Sequence, residues 1–81
     1  MMQIRDYAKI FLNEAAETNE IFDFIDTEFI AHSCNFDEML TEHITEYLQD
    51  CGFIMDCVFV LGKNYPFNFR ISRAGYDWLA H

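Results

Sequence analysis

The sequence predicts a single α+β domain spanning residues 1–81, with three helices followed by a two-stranded β-hairpin and a short C-terminal helix. Apolar residues recur at helical spacing through much of the first fifty residues, whereas apolar and polar residues alternate strictly from 67 to 72. Gly52 and the stretch 62–66 supply turn signals between these regions. With 52% hydrophobic and 17% aromatic residues, the 81-residue chain can form one core and is too apolar for disorder.

The first helix is indicated by residues 4 to 15. Its apolar positions follow helical spacing: Ile4, Tyr7, Ala8, Phe11, Leu12 and Ala15. The next apolar run, from Glu20 to Cys34, fits either a short strand leading into a helix or one continuous helix. Of these, we favour a short helix that begins near Asp26 or Thr27.

The third helix has the clearest boundaries. Asn35 followed by Glu38 is close to a capping box, and Gly52 is a typical residue after a helix end. The apolar residues between them form an i, i+4 row: Phe36, Leu40, Ile44 and Leu48. We therefore expect a helix from about Phe36 to Cys51.

The last third of the chain predicts a hairpin and a final helix. Residues 53–61 are rich in β-branched and aromatic side chains, and residues 67–72 alternate, so the two strands would be joined by a loop of about five residues. Ser72 is expected to cap a helix that carries Ala74, Trp78 and Leu79, and Gly75 would allow a close approach of the neighbouring backbone.

Two stretches resemble winged helix-turn-helix proteins. Residues 71–79, ISRAGYDWL, are similar to the pattern Leu-Thr-x-x-Gly-x-x-Phe-Leu that follows the wing. Residues 43–54, an apolar helix that ends in Cys-Gly-Phe-Ile, resemble the stretch His-Leu-x-x-Leu-x-x-Ala-Gly-Leu-Ile of the same proteins. Together they cover residues 36–80. The proteins that share these patterns include a small family encoded on phages and other mobile elements. The resemblance implies a winged-helix-like architecture and leaves the function open.

Negative charge is concentrated in the first fifty residues. This part carries twelve acidic residues against Arg5 and Lys9, a net charge of −10, whereas residues 51–81 carry +1. Because no Lys or Arg lies between Lys9 and Lys63, exposed surfaces in that span should be negative and should repel nucleic acid.

The third helix of a DNA-binding winged helix usually carries basic and amide side chains, but here it is acidic. Its candidate partner-binding residues are Asp37, Glu38, Glu42, Glu46 and Asp50. The last four form an i, i+4 row with no cation on the helix, and we expect Thr41 and Thr45 beside them. The row is either a solvated face or a surface that imitates a nucleic-acid backbone. The second interpretation predicts a non-enzymatic inhibitor of the anti-CRISPR or DNA-mimic type, whose partner is a protein with a basic surface.

The alternative hypothesis is a transcription regulator that binds DNA through its wing. Lys63, Arg70 and Arg73 would contact phosphates, with Asn64 and Tyr65 at the wing tip. The nine Phe residues also allow an exposed apolar patch for a protein partner or a homodimer, and Phe24 and Phe53 are the predicted exposed members.

Neither a catalytic site nor a cofactor site is predicted. The three Cys residues are irregularly spaced, which is typical of buried free thiols in a reducing compartment, and His32, Cys34 and His43 lack paired zinc-ligand spacing. The three Gly residues are isolated, so no phosphate-binding loop is present. The lack of a long apolar stretch or a signal-like N-terminus favours a cytoplasmic protein without membrane contact.

Overall fold

Seven elements follow one another in the computed structural model, which describes all 81 residues. The helices are α1 (Ile4–Thr18), α2 (Thr27–Cys34), α3 (Glu38–Asp50) and α4 (Arg73–Leu79), and the strands are β1 (Ile25–Asp26), β2 (Ile54–Val58) and β3 (Asn68–Ile71). The strands form one antiparallel sheet in the order β1-β3-β2. The predicted α+β class, with four helices, is confirmed.

The segment before α2 contains a short strand, one of the two structures that its sequence allowed. In β1, Ile25 pairs with Phe69 and Asp26 pairs with Asn68, so the sheet has three strands rather than the two of the predicted hairpin. Asp26 also caps α2, because its side chain accepts a hydrogen bond of 3.1 Å from the backbone N–H of Phe29. The predicted start of α2 near Asp26 or Thr27 is confirmed.

The start of α3 differs from the prediction. Asn35 adopts a left-handed conformation with φ of 58° and ends α2, where its N–H donates to the carbonyls of Ala31 and His32. Asp37 is the N-cap of α3, and its side chain accepts a 2.8 Å hydrogen bond from the N–H of Leu40. Asn tolerates the left-handed region better than most residues, so it terminates one helix here instead of starting the next.

The hairpin connection is longer than predicted. It spans residues 59–67, nine positions instead of about five. Pairing between β2 and β3 becomes irregular between Met55 and Val58, where Asp56 has a positive φ of 53°. This bulge bends β2, and the apolar residues after Val58 continue beyond the ladder.

The core lies between the helices and the inner face of the sheet. Phe11 and Leu12 of α1 are fully buried, and the ring of Phe11 lies 5.9 Å from that of Phe69 on β3. Full burial of such a side chain stabilises the fold by about 1.5 to 3 kcal/mol. Helix α1 contacts α2, α3 and α4, so it is the central helix of the packing.

Helix α4 closes one side of this core. Trp78 stacks on Phe53 with ring centroids 4.5 Å apart, so Phe53 is half-buried and its predicted exposure is wrong. Ser72 caps the helix as predicted, accepting a 3.1 Å hydrogen bond from the N–H of Gly75. A Cβ atom on Gly75 would overlap the Phe53 carbonyl oxygen, which confirms the predicted close approach. None of the four helices has the length and apolar content needed to cross a membrane.

Candidate functional site

The acidic residues of α3 lie on its outer side. Asp37, Glu38, Glu46 and Asp50 are exposed and Glu42 is half-buried. The buried side of the helix consists of Thr41, Ile44, Thr45 and Leu48, and it packs mainly on α1. The structure therefore brings the predicted i, i+4 row together on one accessible face, which we call the acidic row (Glu38, Glu42, Glu46 and Asp50).

Two threonines occupy core positions and not the edge of the acidic row where they were expected. The hydroxyl of Thr41 donates to the Asp37 carbonyl at 2.7 Å, and the hydroxyl of Thr45 donates to the Thr41 carbonyl at 3.0 Å. Because the helix itself satisfies both hydroxyls, they can be buried without a partner from another element. Because Thr41 and Thr45 face the core, they are not part of the accessible surface that carries the acidic row.

One cation reaches the start of the acidic row from outside the helix. The Lys63 ammonium lies 3.1 Å from a Glu28 carboxylate oxygen on α2 and 3.9 Å from a Glu38 oxygen. No cation lies on α3 itself, as the sequence indicated, but Lys63 of the hairpin connection compensates Glu38. Glu42, Glu46 and Asp50 form no ion pair within the chain.

Lys63 belongs to a three-residue cluster that fastens the hairpin connection to α2. Tyr65 is buried, and its hydroxyl donates a 2.9 Å hydrogen bond to Glu28, so it does not lie at an accessible wing tip as predicted. The hydrogen bond from Lys63 lowers the pKa of Glu28 and raises that of Lys63. The pKa of Tyr65 is raised, chiefly by its burial and then by Glu28.

The remaining wing residues do not form a common cationic surface with Lys63. The guanidinium of Arg70 lies 3.4 Å from an Asp56 oxygen and 4.0 Å from the ring centroid of Phe24. Phe24 is 47% exposed, which confirms its predicted exposure. Only Asn64 and Arg73 among the predicted DNA-binding residues are exposed without an ion pair.

A shallow depression adjoins the end of the acidic row. Its volume is about 350 Å³, and it is lined by Ile4, His43, Glu46, Tyr47 and Asp50. Burial of the Tyr47 hydroxyl raises its pKa, so this side chain stays neutral at ordinary pH. An apolar floor beside two carboxylates matches the chemistry of a Lys or Arg side chain, which has an aliphatic stem and a cationic end.

The three cysteines are free, as predicted, but only partly buried. Cys34 and Cys57 are half-buried, and burial raises the pKa of each thiol. Cys51 is exposed, so its predicted burial is wrong. The structure contains no group of three or more His, Cys, Asp or Glu side chains arranged to hold a metal ion.

Sequence reasoning missed two features of this surface. The role of Glu28 depends on a contact with Lys63, 35 positions away, and no local pattern signals it. The exposed apolar residues at and beyond the end of β2 were assigned to the first strand of the hairpin, and the lack of any polar residue in the run Val58–Leu61 is the signal that could have identified them. In comparisons with protein-family models, with curated proteins and with solved structures, no match to this chain was found.

Proposed function

We propose that this chain is a non-enzymatic protein-binding module whose acidic row docks on the basic surface of a nucleic-acid-handling protein. One observation carries the proposal: Glu42, Glu46 and Asp50 have no cation partner within the chain, while Lys63 and Arg70 are both paired with carboxylates. The negative face is thus available to a partner, whereas two of the three wing cations, Lys63 and Arg70, are already paired within the chain.

The arrangement of the elements supports a winged-helix-like interpretation of the fold. Three helices precede the β2–β3 hairpin, and a short strand before α2 completes an antiparallel sheet. In such a fold α3 holds the place of the recognition helix. Carboxylates therefore stand where a DNA-binding relative would present cations, and this inversion supports a mimic of the nucleic-acid backbone.

The electrostatics suit a basic partner. Successive carboxylates in an i, i+4 row lie about 6 Å apart along the helix axis. Complementary potentials of this kind accelerate association and discriminate against partners of the wrong charge. The resemblance to mobile-element proteins suggests which class of protein would use this surface. It supports an inhibitor that occupies a nucleic-acid-binding surface.

The test is capture of partners from a host lysate by the tagged chain after nuclease treatment, followed by addition of duplex DNA. We expect a basic protein to be retained and then displaced by the DNA. The variant E42Q/E46Q/D50N should lose this partner, whereas E17Q/E20Q/D23N, which removes the same charge away from α3, should keep it. Equal binding by both variants would overturn the role of the acidic row.

The same experiment addresses the wing hypothesis. If the chain is instead a regulator, DNA will co-purify before nuclease treatment and no stoichiometric protein will remain after it. Binding would then depend on Asn64 and Arg73, because these are the wing residues without an ion pair. Two such contacts give weak and salt-sensitive binding.

A further inference from the structure

A group of apolar side chains projects from the end of the hairpin. We call it the hairpin tip, and it consists of Val58, Phe59, Val60, Leu61 and Phe67. The exposed fraction is 46% for Val58, 52% for Phe59, 42% for Val60, 104% for Leu61 and 49% for Phe67. A backbone hydrogen bond of 2.6 Å from the N–H of Phe67 to the carbonyl of Val58 joins the two sides of the tip.

The hairpin tip is electrically neutral within a strongly acidic chain. Its nearest charged neighbours in sequence, Asp56 and Lys63, are paired with Arg70 and Glu28 of the same chain. The net charge is −10 for residues 1–50 and +1 for residues 51–81. A second molecule with the same charge distribution can therefore approach the tip with less repulsion than at the acidic row.

The exposed area of the hairpin tip is sufficient for self-association. With about 150 to 250 Å² available to a large apolar side chain, these fractions correspond to on the order of 500 Å² per chain, near the upper limit for an apolar patch on a monomer. Complete burial of the tip in two copies would remove on the order of 1,000 Å² from solvent, the minimum for a specific interface. A basic protein or a nucleic acid would find no complementary charge there.

We propose that the hairpin tip is a homodimer interface, in which the tips of two chains pack against each other about a two-fold axis. Strand β2 has a neighbour on one side only, but the bulge at Asp56 interrupts its free edge. Side-chain packing, and not an extended ladder, therefore holds the two copies together. The dimer does not depend on the proposed function of α3, and it would carry two acidic rows in one particle.

The experiment is sedimentation equilibrium of the full chain at about 1 to 200 µM, a range that brackets the micromolar Kd of a small interface. The test variant is Leu61→Asp, because this side chain is fully exposed and makes little packing contact within the chain. The control is Ile21→Asp, which adds the same charge at another apolar position, 66% exposed. We expect wild type and I21D to dimerise, with the Kd of L61D at least about tenfold higher.

Three results would overturn the proposal. The first is a wild-type chain that stays monomeric up to the highest concentration. The second is a dimer that L61D and I21D weaken equally, which would place the interface elsewhere. The third is a monomer that co-sediments with neutral phosphatidylcholine vesicles and loses this property in L61D, which would make a lipid surface the occupant of the tip.

Discussion

Ser72 joins two elements through one hydroxyl. The hydroxyl accepts a hydrogen bond from the N–H of Gly75 at the start of α4, and it donates a 2.6 Å hydrogen bond to the carbonyl of Gly52. Loss of an N-cap side chain costs about 1 kcal/mol, and the second bond adds to this. We expect Ser72→Ala to lower the free energy of unfolding by about 1 to 2 kcal/mol in urea denaturation. Ser33→Ala, at an exposed position of α2, is the control and should have little effect.

For Gly75→Ala, packing predicts a loss of stability where helix propensity predicts a gain. In an open helix, replacing Gly by Ala stabilises by about 1 kcal/mol. Here the new Cβ would overlap the Phe53 carbonyl oxygen and approach Cγ2 of Ile71 within 2.8 Å. Crowding of this kind costs about 1 to 3 kcal/mol, so Gly75→Ala should lower the urea midpoint. A raised midpoint would show that α4 does not pack this closely on the turn before β2.

At the scale of elements, the hairpin connection is attached to α2 by the Glu28–Lys63–Tyr65 cluster. Because the hydrogen bond from Lys63 lowers the pKa of Glu28, the stabilising contribution of this carboxylate is complete above its unfolded value of about 4.3. It is lost as the pH falls through the lower folded value. In an NMR titration we expect Lys63 and Tyr65 resonances to shift with a midpoint below about pH 4.3. The shift should be absent in Glu28→Gln, and a midpoint at or above that value would contradict the pairing.

The elements themselves were largely predictable because local patterns specify them. The helical spacing in α1 and the cap at Ser72 depend on residues within a few positions of each other. The wrong predictions arose where one residue fitted two local patterns, or where a contact distant in sequence determined whether a side chain is buried. Asn35 satisfies both an N-cap pattern and a left-handed helix end, and the burial of Thr41 and Thr45 depends on the packing of α3 against α1.

The candidate site was predictable in part for the same reason. A row of carboxylates at i, i+4 spacing follows from helix geometry alone, and the structure places all its members on one face. The pairing of the wing cations with carboxylates was not predictable. Arg70 forms an ion pair with Asp56 across the hairpin, and Lys63 forms one with Glu28 of α2. Both contacts depend on tertiary structure, and they change the balance between the two functional hypotheses.

At the scale of the whole molecule, the net charge of −9 works against compactness. Screening of this repulsion predicts that stability rises with salt. We expect the thermal midpoint of the chain to increase between about 20 mM and about 0.5 M NaCl, since the Debye length falls well below 10 Å over this range. A midpoint that falls in NaCl would indicate that the three ion pairs outweigh the repulsion.

The acidic row is expected to lower the free energy of unfolding, because its like charges repel one another along the helix. Each like-charge i, i+4 pair destabilises a helix by roughly 0.2 to 0.5 kcal/mol, and Asp50 lies unfavourably at the negative end of α3. Neutralising Glu42, Glu46 and Asp50 in E42Q/E46Q/D50N should therefore raise the free energy of unfolding by about 0.5 to 1.5 kcal/mol at low salt. The gain should shrink at high salt and should exceed that of E17Q/E20Q/D23N, which changes the net charge equally.

A variant that is more stable yet no longer binds its partner would separate the function of the row from the fold. A less stable variant would mean that these carboxylates serve contacts within the chain, and the proposed docking surface would lose its main support.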